Sequence, residues 1–339
     1  MEEAMGLGCY KEGKRMFRCT RAAALLTGLL TAVLAAAPAA AQAPTVLTIL
    51  AAGTLAGPVR ALDAVFEKQY PNIVVHPEFA GSVALAKQIT ELGRRADLFA
   101  TADWRVVPKY LFGGKSGKTG YADWYAGFAR NAITFTYTGN SKFAGAITPK
   151  NCYEILARPG VEIGRANPDT DPSGYRTLLM LQLAERYYHV PGLMQKILGN
   201  APRQNMRDTE TELISALQLG EIDYLAIYRS DAIQHHLQYL ALPAAIDLSD
   251  PRLAKLYGTA VVHTRNGDVR GTPIVYAATI PRNAPQREWA EKYLALLLGP
   301  EGQKVMQQSG FTPLAPAVAA GRDRMPASLH PLVAEWPSS

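Results

Sequence analysis

From Thr45 onward, short apolar runs alternate with longer stretches in which apolar positions recur every three or four residues. An unbroken or alternating apolar run reads as a strand, and a three-to-four spacing reads as a helix. On that basis Val46 to Ala51 is a buried strand. Leu55 to Tyr70 is a helix with Val59, Leu62, Val65 and Phe66 at helical spacing. Ile73 to Glu78 forms a second strand, Val83 to Gly93 a second helix, and Leu98 to Ala100 a third strand bracketed by Asp97 and Asp103. Ala132 to Thr138 is β-prone with polar alternation. A second set of elements follows: helix Cys152 to Ala157, strand Val161 to Gly164, a long helix Tyr175 to Tyr188, helix Glu210 to Leu219 and strand Tyr224 to Tyr228. Ile274 to Ile280 reads as another buried strand, and helices Gln286 to Leu298 and Glu301 to Gln308 end at Gly310. Strands and helices in alternation, with no internal repeat, predict an α/β fold.

The chain before Thr45 has another character. Lys11, Lys14, Arg15, Arg18 and Arg21 precede an uncharged apolar run from Ala22 to Ala36, then Pro38 and the small residues Ala39, Ala40 and Ala41. That order is a secretory signal peptide over residues 1–41, cleaved after Ala41, with Met1, Met5 and Met16 as alternative starts. The apolar run is shorter than the roughly 20 residues of a spanning helix, and Cys9 and Cys19 precede it, which argues against a lipoprotein. The leader holds five basic and three acidic residues, so its removal lowers the net charge from +6 to +4. No basic run remains, so nucleic acid is not an expected partner. Cys152 alone is left as a thiol, which excludes an internal disulfide and reads as a small buried apolar residue. The mature chain is expected in the periplasm, without membrane insertion.

Four loops carry the candidate chemistry. Ala51-Ala52-Gly53-Thr54 and Ala80-Gly81-Ser82 each end a strand and begin a helix. A helix start exposes unpaired N–H groups and a partial positive charge, glycine lets a backbone approach, and a hydroxyl adds a donor. Alone, either loop reads as an ordinary N-cap; the matching pair in consecutive units points to anion binding. Asp171-Pro172-Ser173-Gly174 leads into the long helix, and Asp171 is also placed to cap it. Thr209-Glu210-Thr211-Glu212 opens the next helix, where an acid ordinarily faces solvent.

Enzyme signatures are missing: no H-E-x-x-H, C-x-x-C, G-x-S-x-G or dinucleotide glycine pattern occurs. The glycine-rich stretch Gly113 to Gly120 holds Gly117-Lys118-Thr119, but Gly117 follows Gly114 by only three residues. The phosphate-loop spacing therefore fails and a surface loop is expected. His235 and His236 are adjacent, as on a surface helix. Asp171 with Glu210 remains formally a paired-carboxylate arrangement, without other features of such an enzyme. The chain is read as a binding protein without a cofactor.

The chain from Leu47 to about Pro313 resembles the periplasmic molybdate/tungstate-binding proteins of ABC importers, in particular the tungstate-binding, archaeal-type branch. The stretches that carry the resemblance are ITELGRRADLFATADWRVVPKYL, YADWYAGFARNAITFTYT, NPDTDPSGYRTLLMLQLAERYY, ETELISALQLGEIDYLAIYRSDAIQHHLQYLALP and PIVYAATIPRNAP, in that order. The resemblance implies a type II periplasmic binding protein fold, two α/β lobes joined by two crossing strands with the ligand cleft between. Lobe one is then residues 45–130 and 274–330, and lobe two residues 131–273, with the crossings near Ala132 to Thr138 and Ile274 to Ile280.

By motif, the resemblance implies Asp171 and Glu210 as carboxylates that bind the Mo or W of the anion and expand its coordination. It also implies Thr54 and Ser82 as hydroxyl donors and Tyr228 as a further ligand-binding residue. The implied partners are the oxyanion, tungstate or molybdate, and the permease subunits of an ABC importer, and carriers resembling this chain usually work as monomers. The alternative ligand is another small oxyanion such as sulfate or phosphate. Gly53-Thr54 stands where the family usually reads A-G-S, so the added methyl group implies a slightly tighter pocket. Spectator carboxylates would repel a dianion, by about 1 kcal/mol per unit-charge pair at ~4 Å even in water. Carboxylates that bind the metal centre would instead discriminate against sulfate, whose sulfur accepts no further oxygen.

Overall fold

A computed structural model describes residues 43–113 and 120–337. The leader expected over residues 1–41 and most of the Gly113 to Gly120 loop lie outside the described residues. The strands, in chain order, are β1 (Thr45–Ala52), β2 (Ile73–Ala80), β3 (Leu98–Thr101), β4 (Tyr125–Arg130), β5 (Ile133–Tyr137), β6 (Ile163–Ala166) and β7 (Met206–Arg207). They continue with β8 (Tyr224–Tyr228), β9 (Gln238–Tyr239), β10 (Val261–Thr264), β11 (Gly267–Arg270), β12 (Val275–Thr279), β13 (Thr312–Ala320) and β14 (Val333–Glu335).

Two larger sheets and a two-stranded one, β10-β11, divide these strands. The first is seven-stranded in the order β14-β13-β4-β12-β3-β1-β2, and the second five-stranded in the order β7-β6-β8-β5-β9. In the first sheet β1 runs parallel to β2 and β3, whereas β12 lies antiparallel between β3 and β4. In the second, β6 and β8 are parallel and β5 runs against β8. Each larger sheet with its helices forms one lobe of a mixed α/β structure. The chain passes to the second lobe through Asn131 and Ala132, between β4 and β5, and returns between β11 and β12.

Local sequence explains the central elements. Leu47, Ile49, Leu50 and Ala51 of β1 are all fully buried, as expected of a strand covered on both faces. The following helix, Ala56–Gln69, turns Val59, Leu62 and Phe66 inward at helical spacing, after a single 3-10 turn over Gly53–Leu55. That stripe carries a buried acid, Asp63, which accepts a 2.7 Å bond from Tyr293 Oη. Burial pushes the Asp63 carboxyl up to about 6. The strand expected over Ala132 to Thr138 is buried at every residue of Ile133–Tyr137, so its alternation does not mark a solvent face.

Several elements depart from the sequence pattern. The long helix starts at Pro172 rather than Tyr175, because Asp171 caps it. The strand expected at Val161 lies at Ile163–Ala166, since the Val161 N–H closes a turn on the Arg158 carbonyl. His235 is the C-cap of the Arg229–Gln234 helix and His236 has a φ of 54°, so the pair terminates a helix instead of riding on one. Cys152 is buried. Among the described residues no helix is long and apolar enough to cross a membrane.

Candidate functional site

The two helix starts of the first lobe face the two acidic helix starts of the second. A Cβ placed on Gly53 would lie 2.3 Å from Glu210 Oε2, and one on Gly81 would lie 2.5 Å from the Thr170 carbonyl oxygen and 3.1 Å from Asp171 Cβ. Gly81 has a φ of −58°, which any residue adopts. The neighbour, and not the backbone, therefore requires glycine there. Gly81→Ala is expected to obstruct contact between the lobes and weaken ligand binding at least about tenfold. Calorimetry checks the affinity, and thermal melting without ligand should show a change of less than about 1 kcal/mol.

Each candidate residue has a local reason for its position. Asp171 is the N-cap of Pro172–Tyr187, where its Oδ1 accepts from Ser173 N at 2.7 Å and Ser173 Oγ at 2.6 Å. Glu210 is the first residue of the Glu210–Gln218 helix, whose cap is Thr209. Tyr228 ends β8 at the start of Arg229–Gln234. Thr54 sits in the turn after β1, and its Oγ1 lies 3.0 Å from Ser230 Oγ of the second lobe. Ser230 Oγ accepts in turn from Asn131 Nδ2 at 2.7 Å, so hydroxyls link the chain crossing to Thr54. Ser82 Oγ accepts from Ala102 N at 3.0 Å, which leaves its own proton for another acceptor. All five residues named from sequence are buried; Glu210 lies against the Gly53-Thr54 turn and Asp171 against the Gly81-Ser82 turn.

What is missing around them defines the chemistry. Glu210 Oε2 and Tyr228 Oη are buried without a hydrogen-bond partner, although buried polar atoms nearly always have one. Burial raises the Glu210 carboxyl well above its ordinary range, and the charges of Asp231 and Asp171 raise it further. Asp171 is also raised by burial, against the opposing pull of the Ser173 bonds and Arg176. Tyr228 is raised by burial, with Arg176 opposing. Such a site favours a partner that supplies electron-accepting character to carboxylates and accepts hydrogen bonds from hydroxyls. Among the described residues no three His, Cys, Asp or Glu side chains are grouped to hold a bare metal ion.

Three residues absent from the sequence reading complete the cluster. Asp231 is 3 % exposed, and burial carries its carboxyl up to about 7. Tyr276 of β12 packs edge-on to Tyr228 with ring centroids 5.8 Å apart, and its hydroxyl accepts from Asn131 Nδ2 at 3.3 Å. Arg176 is fully buried and pairs through Nη2 with Asp103 Oδ2 at 3.1 Å. Asp103 belongs to the first lobe. It also accepts from Tyr175 Oη at 2.8 Å and from Arg105 at 2.6 Å. Burial opposes its charge, but Arg105 and Arg176 overcome that and hold the carboxyl well below its ordinary range. The GYR segment after Asp171 thus joins the lobes. Its tyrosine and arginine were legible only as helix residues, because their partner lies far away in sequence.

The lobes are tied at two further points. Val83 N and Ala84 N donate to the Thr170 carbonyl at 3.2 Å each. The β10–β11 hairpin of the second lobe reaches residues that follow β3, and Lys109 Nζ donates to the Asn266 carbonyl at 2.6 Å.

Comparison with known proteins agrees with this architecture. The family model for bacterial extracellular solute-binding proteins matches residues 47–312. A solute-binding protein of Petrotoga mobilis is 37% identical over 290 residues, covering 84% of this chain and 88% of that one. A molybdate/tungstate-binding protein of Thermococcus kodakarensis is 35% identical over 305 residues, covering 82% and 84%. Among solved structures, the periplasmic molybdate-binding protein of Azotobacter vinelandii superposes with a TM-score of 0.58 at 17% identity, covering 78% of this chain and 98% of that one. The sulfate-binding protein of Mycobacterium tuberculosis superposes with a TM-score of 0.57 at 16% identity, covering 80% and 88%. These two likenesses establish the type II periplasmic binding fold. The matched proteins are binding proteins and not enzymes.

Proposed function

The chain belongs to the bacterial extracellular solute-binding protein family, and from that premise we propose that its cleft captures tungstate or molybdate for an ABC importer. The observation that carries this reading is the pair Asp171 and Glu210, two buried carboxylates beside hydroxyl-bearing helix starts. A tetrahedral dianion that only accepts hydrogen bonds is repelled by such a pair. A Mo(VI) or W(VI) centre adds carboxylate oxygens to its own four and converts repulsion into bonding. The relative named for both anions supports the choice.

In this reading Thr54, Ser82 and Tyr228 donate to the oxo groups while Asp171 and Glu210 bind the metal centre of the cargo. The cleft requires no resident cofactor. Export through the N-terminal leader would place the protein outside the cytoplasm as a monomer, and permease subunits would receive the anion. Closure of the lobes is the hinge motion this architecture allows.

Titration calorimetry with sodium tungstate, sodium molybdate, sulfate and phosphate tests the proposal. Heat is expected with the first two, and tungstate binding should persist in millimolar sulfate. A protein that takes sulfate or phosphate and ignores both metal oxyanions overturns it, in favour of a carrier for a main-group oxyanion.

A further inference from the structure

We propose that Asp231 is a third carboxyl group in contact with the cargo, making a hydrogen bond from Oδ2 to an oxygen of the bound anion. This deepens the oxyanion reading and rests on it. Asp231 lies in the first turn of the Arg229–Gln234 helix, directly after the Tyr228-Arg229-Ser230 segment that holds two other residues of the cluster. Its Oδ2 is buried and has no hydrogen-bond partner, as is true of Glu210 Oε2. Both acids line one cavity of about 320 Å³, together with Gly53, Arg60 and Gln234.

An aspartate in a first helical turn ordinarily faces solvent and compensates the helix dipole. This one is turned inward at 3 % exposure, into a wall that already contains Glu210 and Asp171. A buried carboxyl oxygen left without a partner costs on the order of 1–3 kcal/mol, so its position calls for a partner in the working state. The Thr54 hydroxyl bonds Ser230, the residue before Asp231, and lowers the Asp231 carboxyl against the effect of burial, so the hydroxyl loop lies beside this acid. The two unpartnered oxygens, Asp231 Oδ2 and Glu210 Oε2, belong to side chains that line the same cavity. One proton between Asp231 and the anion suffices for the bond, whichever of the two oxygens holds it.

Asparagine preserves the shape and a polar atom at this position, whereas alanine removes both. Wild type, Asp231→Asn and Asp231→Ala are compared at one pH by calorimetry with sodium tungstate and by thermal melting without anion. The Asn variant should bind within about threefold of wild type and the Ala variant at least about tenfold more weakly, with melting temperatures that do not follow this order. An Ala variant that binds like wild type, or an Asn variant as weak as the Ala variant, overturns the contact. Wild-type protein that gives no heat with tungstate or molybdate overturns the oxyanion reading and this inference together. Heat with wild type and an unaffected Ala variant removes only the inference.

Discussion

Glu210→Gln lowers tungstate affinity by at least about a hundredfold and raises the melting temperature of the anion-free protein. The first effect follows from removing a buried charged contact, a change on the scale of 3–5 kcal/mol. The second follows from the surroundings of Glu210. Burial, Asp231 and Asp171 all raise its carboxyl, and no donor stabilises its charge. Its folded-state value therefore lies above the unfolded one. At low pH, where the group is protonated in both states, it imposes no penalty; as pH rises above the unfolded value, the folded state loses stability. The gain in Glu210→Gln should accordingly be absent near pH 4 and present at pH 8, at roughly 2–4 °C for each kcal/mol of repulsion removed. Differential scanning calorimetry across that range, with binding measured in parallel, checks both halves. A variant that binds tungstate like wild type rejects Glu210 as a ligand of the metal centre. Binding lost with no gain in stability rejects the repulsive pocket.

Asp103→Asn acts at a distance from the anion. Asp103 joins the first lobe to Tyr175 and Arg176 of the second, and its charge is what compensates the fully buried Arg176. With asparagine that guanidinium is left short of a counter-charge, at a cost of about 3–5 kcal/mol if the lobes stay together. Separation of the lobes rehydrates the guanidinium instead. The expected result is a shift toward an open form, with affinity reduced about ten- to a hundredfold and loss of the ligand-induced compaction seen by small-angle scattering. Tyr175→Phe removes only one neutral donor and should cost about 1 kcal/mol, or roughly fivefold. Equal affinity in Asp103→Asn and wild type would show that the pair merely fills space.

The sequence pattern anticipates the elements with strong periodicity. Leu47 and Ile49 to Ala51, the Val59-Leu62-Phe66 stripe and Tyr224 to Tyr228 are buried where apolar spacing puts them, whereas Val46, expected in the same buried strand, is exposed. The pattern missed β4, whose residues Tyr125–Arg130 include two alanines and a glycine and carry little β signal. It also missed β13, where two prolines interrupt the run and the register with β4 shifts. Of the site, Asp171 and Glu210 were legible as acids at helix starts and Thr54 and Ser82 as hydroxyls after strands. Asp231 was not, because a first-turn aspartate looks the same whether it faces water or a cleft. Asp103 and Arg176 were opaque for another reason: their pairing spans 73 positions of sequence, and no local pattern encodes it.

The thread from Asn131 through Ser230 to Thr54 has a bearing on how cargo leaves. Asn131 is in one of the two links between the lobes, and Ser230 and Thr54 come from opposite sides of it. On the proposed reading, rotation about that link would pull Thr54 away from Ser230 and remove a donor as the cleft opens. On the same reading an open form would part Thr54 and Ser82 of the first lobe from Asp171, Glu210 and Tyr228 of the second, so intermediate openings would have little hold on the anion. Capture would then be nearly all-or-none. A membrane partner that simply prefers the open shape would receive the cargo without any group of its own having to compete for it.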